Sequence, residues 1–329
     1  MGWLGWKLEY PLGKIKERES LPLAKYDFNN LRVSLKVRKS ESLKVEILGE
    51  IPEVNQRRAA FAKASANQGK YDFVTRQFRF KSEGKWITGM INMPAFAEAT
   101  AGKPAVIMIR GYAEKAGYYS GSGTWRVADE LAKNGWATMS IDFLGFGGSE
   151  AESTDMLEAR FEKLVGVLDL IESVKQLPWV DKKRIGIWAH SNGGQIALSV
   201  LEITGENYPT ILWAPMTNPF PQSVLDTADD LEDKGAMVKK AIADFEKKYD
   251  SRRYAFENYL SWIKAPIIVY QGTADEWCKV EWQERLQNRL LSLNKQIELR
   301  VLPGDDHNLS KNWGEVVEEN VEWYRKRLF

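Results

Sequence analysis

A chain of 329 residues, 44% hydrophobic and 28% charged, can bury a full core as one large domain with an extension, or as two domains. Its 46 basic and 45 acidic side chains leave a formal charge of +1, which excludes the broad basic footprint of nucleic-acid or anionic-membrane binding and favours small neutral partners. The single cysteine, Cys278, cannot close an internal disulfide, so the fold does not depend on an oxidising compartment.

Met1 to Lys7 carries two tryptophans and no apolar run long enough for a signal peptide or a spanning helix. No membrane partner is expected from the chain as it stands, and the absence of a signal favours the cytoplasm. Tryptophan also suits the membrane interface, so the remnant of an anchored or exported enzyme is the alternative. Residues 1–70 read as an accessory extension. Leu31 to Val37 and Leu43 to Leu48 alternate apolar and polar positions, as half-buried strands do, and Ala59 to Ala66 reads as a short helix.

The pattern sharpens over 71–329. Val74 to Phe80 and Trp86 to Met93, joined through Ser82-Glu83-Gly84-Lys85, read as a β-hairpin. Pro104 to Ile109, Ala137 to Ile141, Arg184 to Ala189, Thr210 to Trp213 and Pro266 to Tyr270 are short continuous apolar runs, and Ile297 to Val301 is a weaker one. Such runs suit strands buried on both faces of a parallel sheet. Between them lie helix-period segments: Thr124 to Lys133, Asp155 to Gln176, Gln195 to Thr204, Val280 to Leu293 and Trp313 to Leu328. This alternation predicts an α/β fold with a doubly wound, mostly parallel sheet. Over 214–264 the alternation stops in favour of a charged, proline-opened, helical insertion. It follows a core strand, so it is a candidate lid or a surface decoration.

Chemistry concentrates at Ile185 to Leu198, where an apolar strand turns sharply into an apolar helix with Ser191 at the corner. A serine on such an elbow is lifted above the carboxyl edge of the sheet. Its hydroxyl needs a base, usually histidine, and the histidine needs a carboxylate. The chain has two histidines. His190 adjoins the serine in a tight turn and points away, which leaves His307, in a loop between a strand and the last helix. Two histidines also argue against a histidine-based metal site, and no ligand spacing suggests one.

Asp275, just past the strand Ile267 to Tyr270, is the favoured carboxylate. Asp305 and Asp306 are rivals that could instead shape the histidine's turn. Oxyanion donors are expected from the backbone of Asn192 and, after the strand ending at Ile109, of Tyr112. The glycine-rich Asp142 to Ser149 lacks both the P-loop lysine and the Rossmann spacing, so it reads as a structural turn and no cofactor is implied.

Arg110-Gly111-Tyr112, Asp142-x-x-Gly-x-Gly-x-Ser149, Trp188 to Gly194, Gln271 to Asp275 and Asp306-His307-Asn308 together resemble the α/β-hydrolase superfamily over roughly 74–329. Within it the set is most similar to prolyl-oligopeptidase-like and dienelactone-hydrolase-like serine hydrolases. The resemblance implies Ser191 as nucleophile, His307 as base, Asp275 as acid, and Tyr112 and Asn192 as backbone oxyanion donors. The chain order of Ser191, Asp275 and His307 is the one that superfamily uses. Ala189 departs from the usual first glycine of the elbow, and Arg110 from the histidine common before the oxyanion glycine. The first 70 residues are too short for a peptide-selecting propeller.

The expected activity is that of a serine carboxylic-ester hydrolase acting on small or aromatic esters. Arg110, Tyr118, Tyr119, Trp213, Met216 and Trp277 are the expected substrate-binding residues, with Tyr112 beside them. Gly111-Tyr112 also resembles cutinase-type polyester hydrolases, which extends the expectation to polymers such as PET. A prolyl-oligopeptidase-like peptidase or acyl-aminoacyl hydrolase is the alternative enzyme. A non-catalytic interaction protein with this fold is the alternative of another class.

Overall fold

The computed structural model describes residues 21–38, 44–65, 73–94, 102–226, 228 and 233–329, and the tryptophan-rich start lies outside them. Within these residues the strands are β1 (Glu46–Ile47), β2 (Phe73–Ser82), β3 (Lys85–Pro94), β4 (Lys103–Ile109), β5 (Ala137–Ile141), β6 (Val180–His190), β7 (Thr210–Trp213), β8 (Ile267–Gly272) and β9 (Ile297–Leu302). They form one sheet in the order β1-β2-β3-β5-β4-β6-β7-β8-β9. The pairs from β1 through β3 to β5 are antiparallel. Those from β5 through β4 to β9 are parallel. This is the mostly parallel α/β sheet that the apolar runs predict.

The helices are α1 (Phe28–Arg38), α2 (Pro52–Ser65), α3 (Trp125–Lys133), α4 (Met156–Val174), α5 (Asn192–Thr204), α6 (Gln222–Leu225), α7 (Ala236–Glu246), α8 (Val280–Ser292) and α9 (Trp313–Leu328). Strand side chains alternate between faces. Ile107, Ile109, Ile187, Ala189, Leu212 and Val269 join a core with α4, α5 and α8. Val106, Met108, Trp188, Ile211, Trp213 and Tyr270 join one with α3 and α9. Both faces are covered at the centre of the sheet, so both parities of β4, β5, β7 and β8 are buried, whereas β1, β2 and β9 keep exposed positions. No helix of the described residues is long and apolar enough to cross a membrane.

The N-terminal region differs from the sequence expectation. Leu31 to Val37 lies in α1 and is not a strand. The Asp27 carboxylate accepts the Asn30 backbone N–H at 2.9 Å, an N-terminal cap that favours helix. Phe28, Leu31 and Leu35 then share one buried face while Val33 and Val37 stay in solvent. The period of two among the leucines and valines was thus outweighed by the cap and by Phe28. The strand expected over Leu43 to Leu48 shrinks to Glu46–Ile47, with Leu43 outside the described residues. The helix expected from Ala59 begins earlier, at Pro52, where a missing N–H costs nothing. Ala66 lies outside the described residues.

The described residues of 214–264 include α6, α7 and three short 3-10 helices over 251–262. Their Phe220, Phe245 and Tyr254 pack on Phe161 of α4. The same segment grips the N-terminal part of the chain. The Tyr249 hydroxyl accepts the Leu23 N–H (3.2 Å) and the Tyr254 hydroxyl donates to the Leu23 carbonyl (3.1 Å). Phe28 stacks on Tyr259 with ring centroids 4.9 Å apart.

On α5, Glu202 is fully buried, and its carboxyl oxygens have no hydrogen-bond partner among the described residues. Burial alone pushes its pKa well above the ordinary carboxylate range. The folded chain therefore holds this proton more tightly than the unfolded chain. Stability from this site is full below the ordinary carboxyl pKa and is lost as pH rises above it. Glu202→Met, which fills similar space without a polar group, is expected to stabilise the fold by about 1–3 kcal/mol. Thermal melts at pH 5 and pH 8 check this: the gain should be larger at pH 8, and a loss at both values would overturn it.

Candidate active site

Ser191 joins β6 to α5 with φ 55° and ψ −124°, a backbone state that side chains rarely adopt and that costs about 1–3 kcal/mol. Backbone hydrogen bonds hold it there. Ser191 N donates to the Trp213 carbonyl (3.0 Å), and the Ser191 carbonyl accepts from Gly194 N (2.8 Å) and Met216 N (2.8 Å). The elbow is thereby tied to the end of β7 and the segment after it.

Two glycines let backbone crowd the corner. A Cβ on Gly193 would collide with the Ile109 carbonyl oxygen and lie 2.8 Å from that of Arg110. A Cβ on Gly111 would lie 2.6 Å from the Ser191 Cβ and 3.2 Å from its Oγ. Only glycine allows the loop after β4 to press against the serine. Tyr112 follows Gly111 in that loop, and Asn192 follows Ser191 as the first residue of α5.

His307, in the loop after β9, holds its Nδ1 2.8 Å from Asp275 Oδ2. The Asp275 carboxylate is fully shielded from solvent. Its Oδ1 accepts the backbone N–H groups of Trp277 (2.8 Å) and Cys278 (2.9 Å), and its Oδ2 accepts Gln271 Nε2 (2.9 Å). Burial alone would raise its pKa, but the hydrogen bonds from His307, Cys278 and Gln271 outweigh this and hold it below the usual range. It remains an anion that keeps the proton of His307 on Nδ1.

Asp305 and Asp306 do other work. Asp305 accepts the backbone N–H groups of Lys311 (2.9 Å) and Asn312 (3.2 Å), and Asp306 those of Asn308 (3.0 Å) and Ser310 (2.9 Å). Both shape the turn that carries His307 into α9.

Two contributions were missed by sequence reasoning. His190 Nε2 lies 2.9 Å from the His307 carbonyl oxygen, and the two imidazole centroids are 4.7 Å apart. A carbonyl only accepts, so His190 carries its proton on Nε2. Burial first, and then the neighbouring His307, push its pKa down to about 4, which keeps it a neutral donor. It clamps the backbone of the other histidine. Gln271 likewise stands behind the acid, with its Oε1 accepting Gln283 Nε2 (3.1 Å), which also donates to the Pro215 carbonyl (2.8 Å). Its place in Gln271-Gly272-Thr273-Ala274-Asp275 was the available signal.

A metal is poorly served here. Asp275, Cys278 and His307 offer ligand atoms within 4.8 Å of one another. Burial, however, pushes the Cys278 thiol up and keeps it protonated, and Asp275 Oδ2 is engaged by His307.

Beside the elbow opens a cavity of about 430 Å³. Arg110, Gly111, Tyr112, Asn192 and Gln195 line the side nearest Ser191, and rings including Tyr26, Phe28, Phe161 and Phe220 line the rest. Of the expected substrate-binding residues, Arg110 borders this space. Its guanidinium donates to the carbonyls of Gly111 (2.9 Å) and Asp142 (2.8 Å) and lies 4.2 Å from the Phe146 ring centroid. It fixes the Gly111 loop onto the Asp142 turn.

Tyr118, Tyr119, Trp213, Met216 and Trp277 do not line the cavity. The Tyr118 hydroxyl is engaged by Asp142 Oδ1 (2.9 Å), and Tyr119 lies under Arg57 (4.3 Å). Trp213 is buried on the α9 face, with Nε1 donating to Asn320 Oδ1 (2.9 Å). Met216 is buried and Trp277 is 56% exposed.

Comparison with known proteins gives the same frame. The sequence model of the prolyl oligopeptidase family matches residues 127–328, and that of FrsA-like esterases matches residues 41–206. The chain is 21% identical over 244 residues to the uncharacterized peptidase YuxL of Bacillus subtilis (strain 168). That alignment covers 72% of this chain and 36% of the relative, so the chain spans about a third of that relative's length.

Among solved structures, acetyl xylan esterase 1 from Thermoanaerobacterium sp. JW/SL YS485 superposes with a TM-score of 0.63 at 15% identity, covering 90% of this chain and 93% of the other. The acylaminoacyl peptidase of Pyrococcus horikoshii gives 0.63 at 19% identity, over 82% of this chain and 43% of its own. Est1E from Butyrivibrio proteoclasticus, solved with ferulic acid, gives 0.55 at 20% identity, over 76% and 98%. At such identities the superpositions speak for the fold, which is that of the α/β-hydrolases.

Proposed function

Because the chain belongs to the prolyl oligopeptidase family of serine hydrolases, we propose that it hydrolyses carboxylic esters through Ser191, His307 and Asp275. The observation that carries the reading is the His307 Nδ1 to Asp275 Oδ2 hydrogen bond of 2.8 Å. It leaves the other ring nitrogen free to act as a base. His307 takes the Ser191 proton as Oγ attacks the ester carbonyl, and the backbone N–H groups of Tyr112 and Asn192 stabilise the oxyanion. The alcohol leaves with the proton from His307. Water, activated by the same imidazole, then releases the acid and restores Ser191. A cavity of about 430 Å³ suits a small acyl group.

The family match and the name of the Bacillus relative favour a second reading, an acyl-aminoacyl hydrolase or peptidase. Comparing p-nitrophenyl butyrate with an aminoacyl anilide separates the two. Ester turnover with the anilide untouched is the expected result, and comparable rates on both would replace the esterase reading with the peptidase one. Polyester cleavage is the broad form of the proposal, motivated by Gly111-Tyr112 and the exposed rings of Tyr112 and Trp277. A polyester film that releases no soluble aromatic acid removes that form and leaves the small-ester activity standing.

A further inference from the structure

The cavity beside the elbow is unusually cationic. Arg110, Lys115, Arg160 and Lys163 line it against one carboxylate, Glu152. That carboxylate is paired with Lys115 at 2.7 Å. Arg110 is held by backbone carbonyls and aromatic faces. The remaining two cations sit one turn apart on α4. Arg160 Nη2 donates to Gln195 Oε1 (2.7 Å) and Ser223 Oγ (2.9 Å), both uncharged. Lys163 has neither a hydrogen bond nor an ion pair to any described residue. Lys163 shares the field of Glu152 with Lys115, and Arg160 has no carboxylate facing it among the described residues, so four cations against one carboxylate in an aromatic-walled space leave charge for a ligand to complement.

The direction of the substrate follows from the reaction. The leaving alcohol must take its proton from His307. None of Ser191, His307 and Asp275 borders the cavity, whereas Gly111, whose backbone abuts Ser191, and the proposed oxyanion donors Tyr112 and Asn192 do. The alcohol therefore lies on the histidine side and the acyl chain points into the cavity.

Resting on the esterase reading above, we infer that the acyl group this enzyme prefers ends in an anion, as in a monoester of a short dicarboxylic acid, with Arg160 and Lys163 as its recognition pair. Hydrolysis breaks the one acyl–oxygen bond, adds water across it, and leaves the distal carboxylate unchanged as the charge that is held. The state of Lys163 agrees with this. Burial, together with Arg160, Arg110 and Lys115 and against the pull of Glu152, pushes its pKa down to about 8. An anion beside it would restore the charge. Preference for the anionic ester should accordingly weaken as pH rises past this value.

The test compares the p-nitrophenyl monoester of glutaric acid with its methyl-capped neutral counterpart on the full chain. An anionic-to-neutral ratio in kcat/KM of about ten or more is expected, the scale of one charge-assisted hydrogen bond. Lys163→Gln and Arg160→Gln should each bring the ratio towards one, and Lys163→Arg should keep it. Calorimetry of monomethyl glutarate on Ser191→Ala reads the same pocket without turnover. It should bind there, and binding should be lost when Lys163→Gln is added. Hydrolysis of both esters with a ratio near one, unchanged in the variants, would overturn the inference and leave the esterase reading intact. Binding of monomethyl glutarate without hydrolysis of either ester would overturn the esterase reading, and with it the acyl preference, and leave only an anion site at Arg160 and Lys163.

Discussion

Ser191→Ala is expected to lower kcat/KM for an activated ester by about four to six orders of magnitude while leaving the fold unchanged. The elbow is held by backbone groups, the Ser191 N–H on Trp213 and its carbonyl on Gly194 and Met216, and alanine keeps all of these. The strained φ of 55° is the same for either side chain. Only the hydroxyl is lost. Covalent labelling by a fluorophosphonate should vanish with the activity, while the melting temperature stays that of the parent. Residual activity within tenfold of the parent would remove Ser191 from the nucleophile's role.

Asp275→Asn is expected to cost about four orders of magnitude in kcat, through the tautomer of His307. The backbone N–H groups of Trp277 and Cys278 both point at Oδ1 and require an acceptor there. An asparagine must then turn its NH₂ towards Gln271 Nε2 and His307 Nδ1. The imidazole would have to accept at Nδ1 and carry its proton on the nitrogen that should take the serine's. Glutamine 271, also a donor, would face a second donor. Pre-steady-state acylation of the variant with p-nitrophenyl acetate measures the effect, and a loss of less than tenfold would mean that Asp275 does not orient the base. The sign of the pH dependence is also fixed. With its pKa depressed in the fold, the Asp275 carboxylate contributes stability above the ordinary aspartate value, and that contribution is lost as pH falls through the folded one.

The sheet was legible because its central strands β4, β7 and β8 are buried on both parities, and the elbow because a serine at a strand-to-helix corner has few other uses. Helix α1 was misread from a short leucine and valine alternation. Asp27, one residue before Phe28, carried the capping signal, and the spacing of Phe28, Leu31 and Leu35 the helical face. Trp213 is an expected substrate-binding residue in the sequence, although strand parity puts it with Ile211, on the side away from α5.

The cavity was illegible for a different reason. Its walls come from Tyr26 and Phe28, from Arg160 and Lys163, and from Phe220 and Tyr254, segments that no local pattern connects. Sequence periodicity reports which face of an element is buried. It does not report which buried faces leave a gap between them.

The grip of Tyr249 and Tyr254 on Leu23 has a consequence for the order in which the molecule forms. These contacts join residues 226 and 231 positions apart, whereas the elbow's own hydrogen bonds from Ser191 to Trp213 and Met216 span a few dozen at most. Closing so long a loop is costly in chain entropy until the intervening sheet has brought its ends together. The reactive corner can therefore form before the wall that selects its substrate. Weakening the tyrosine contacts should loosen that wall first, at little expense to the corner.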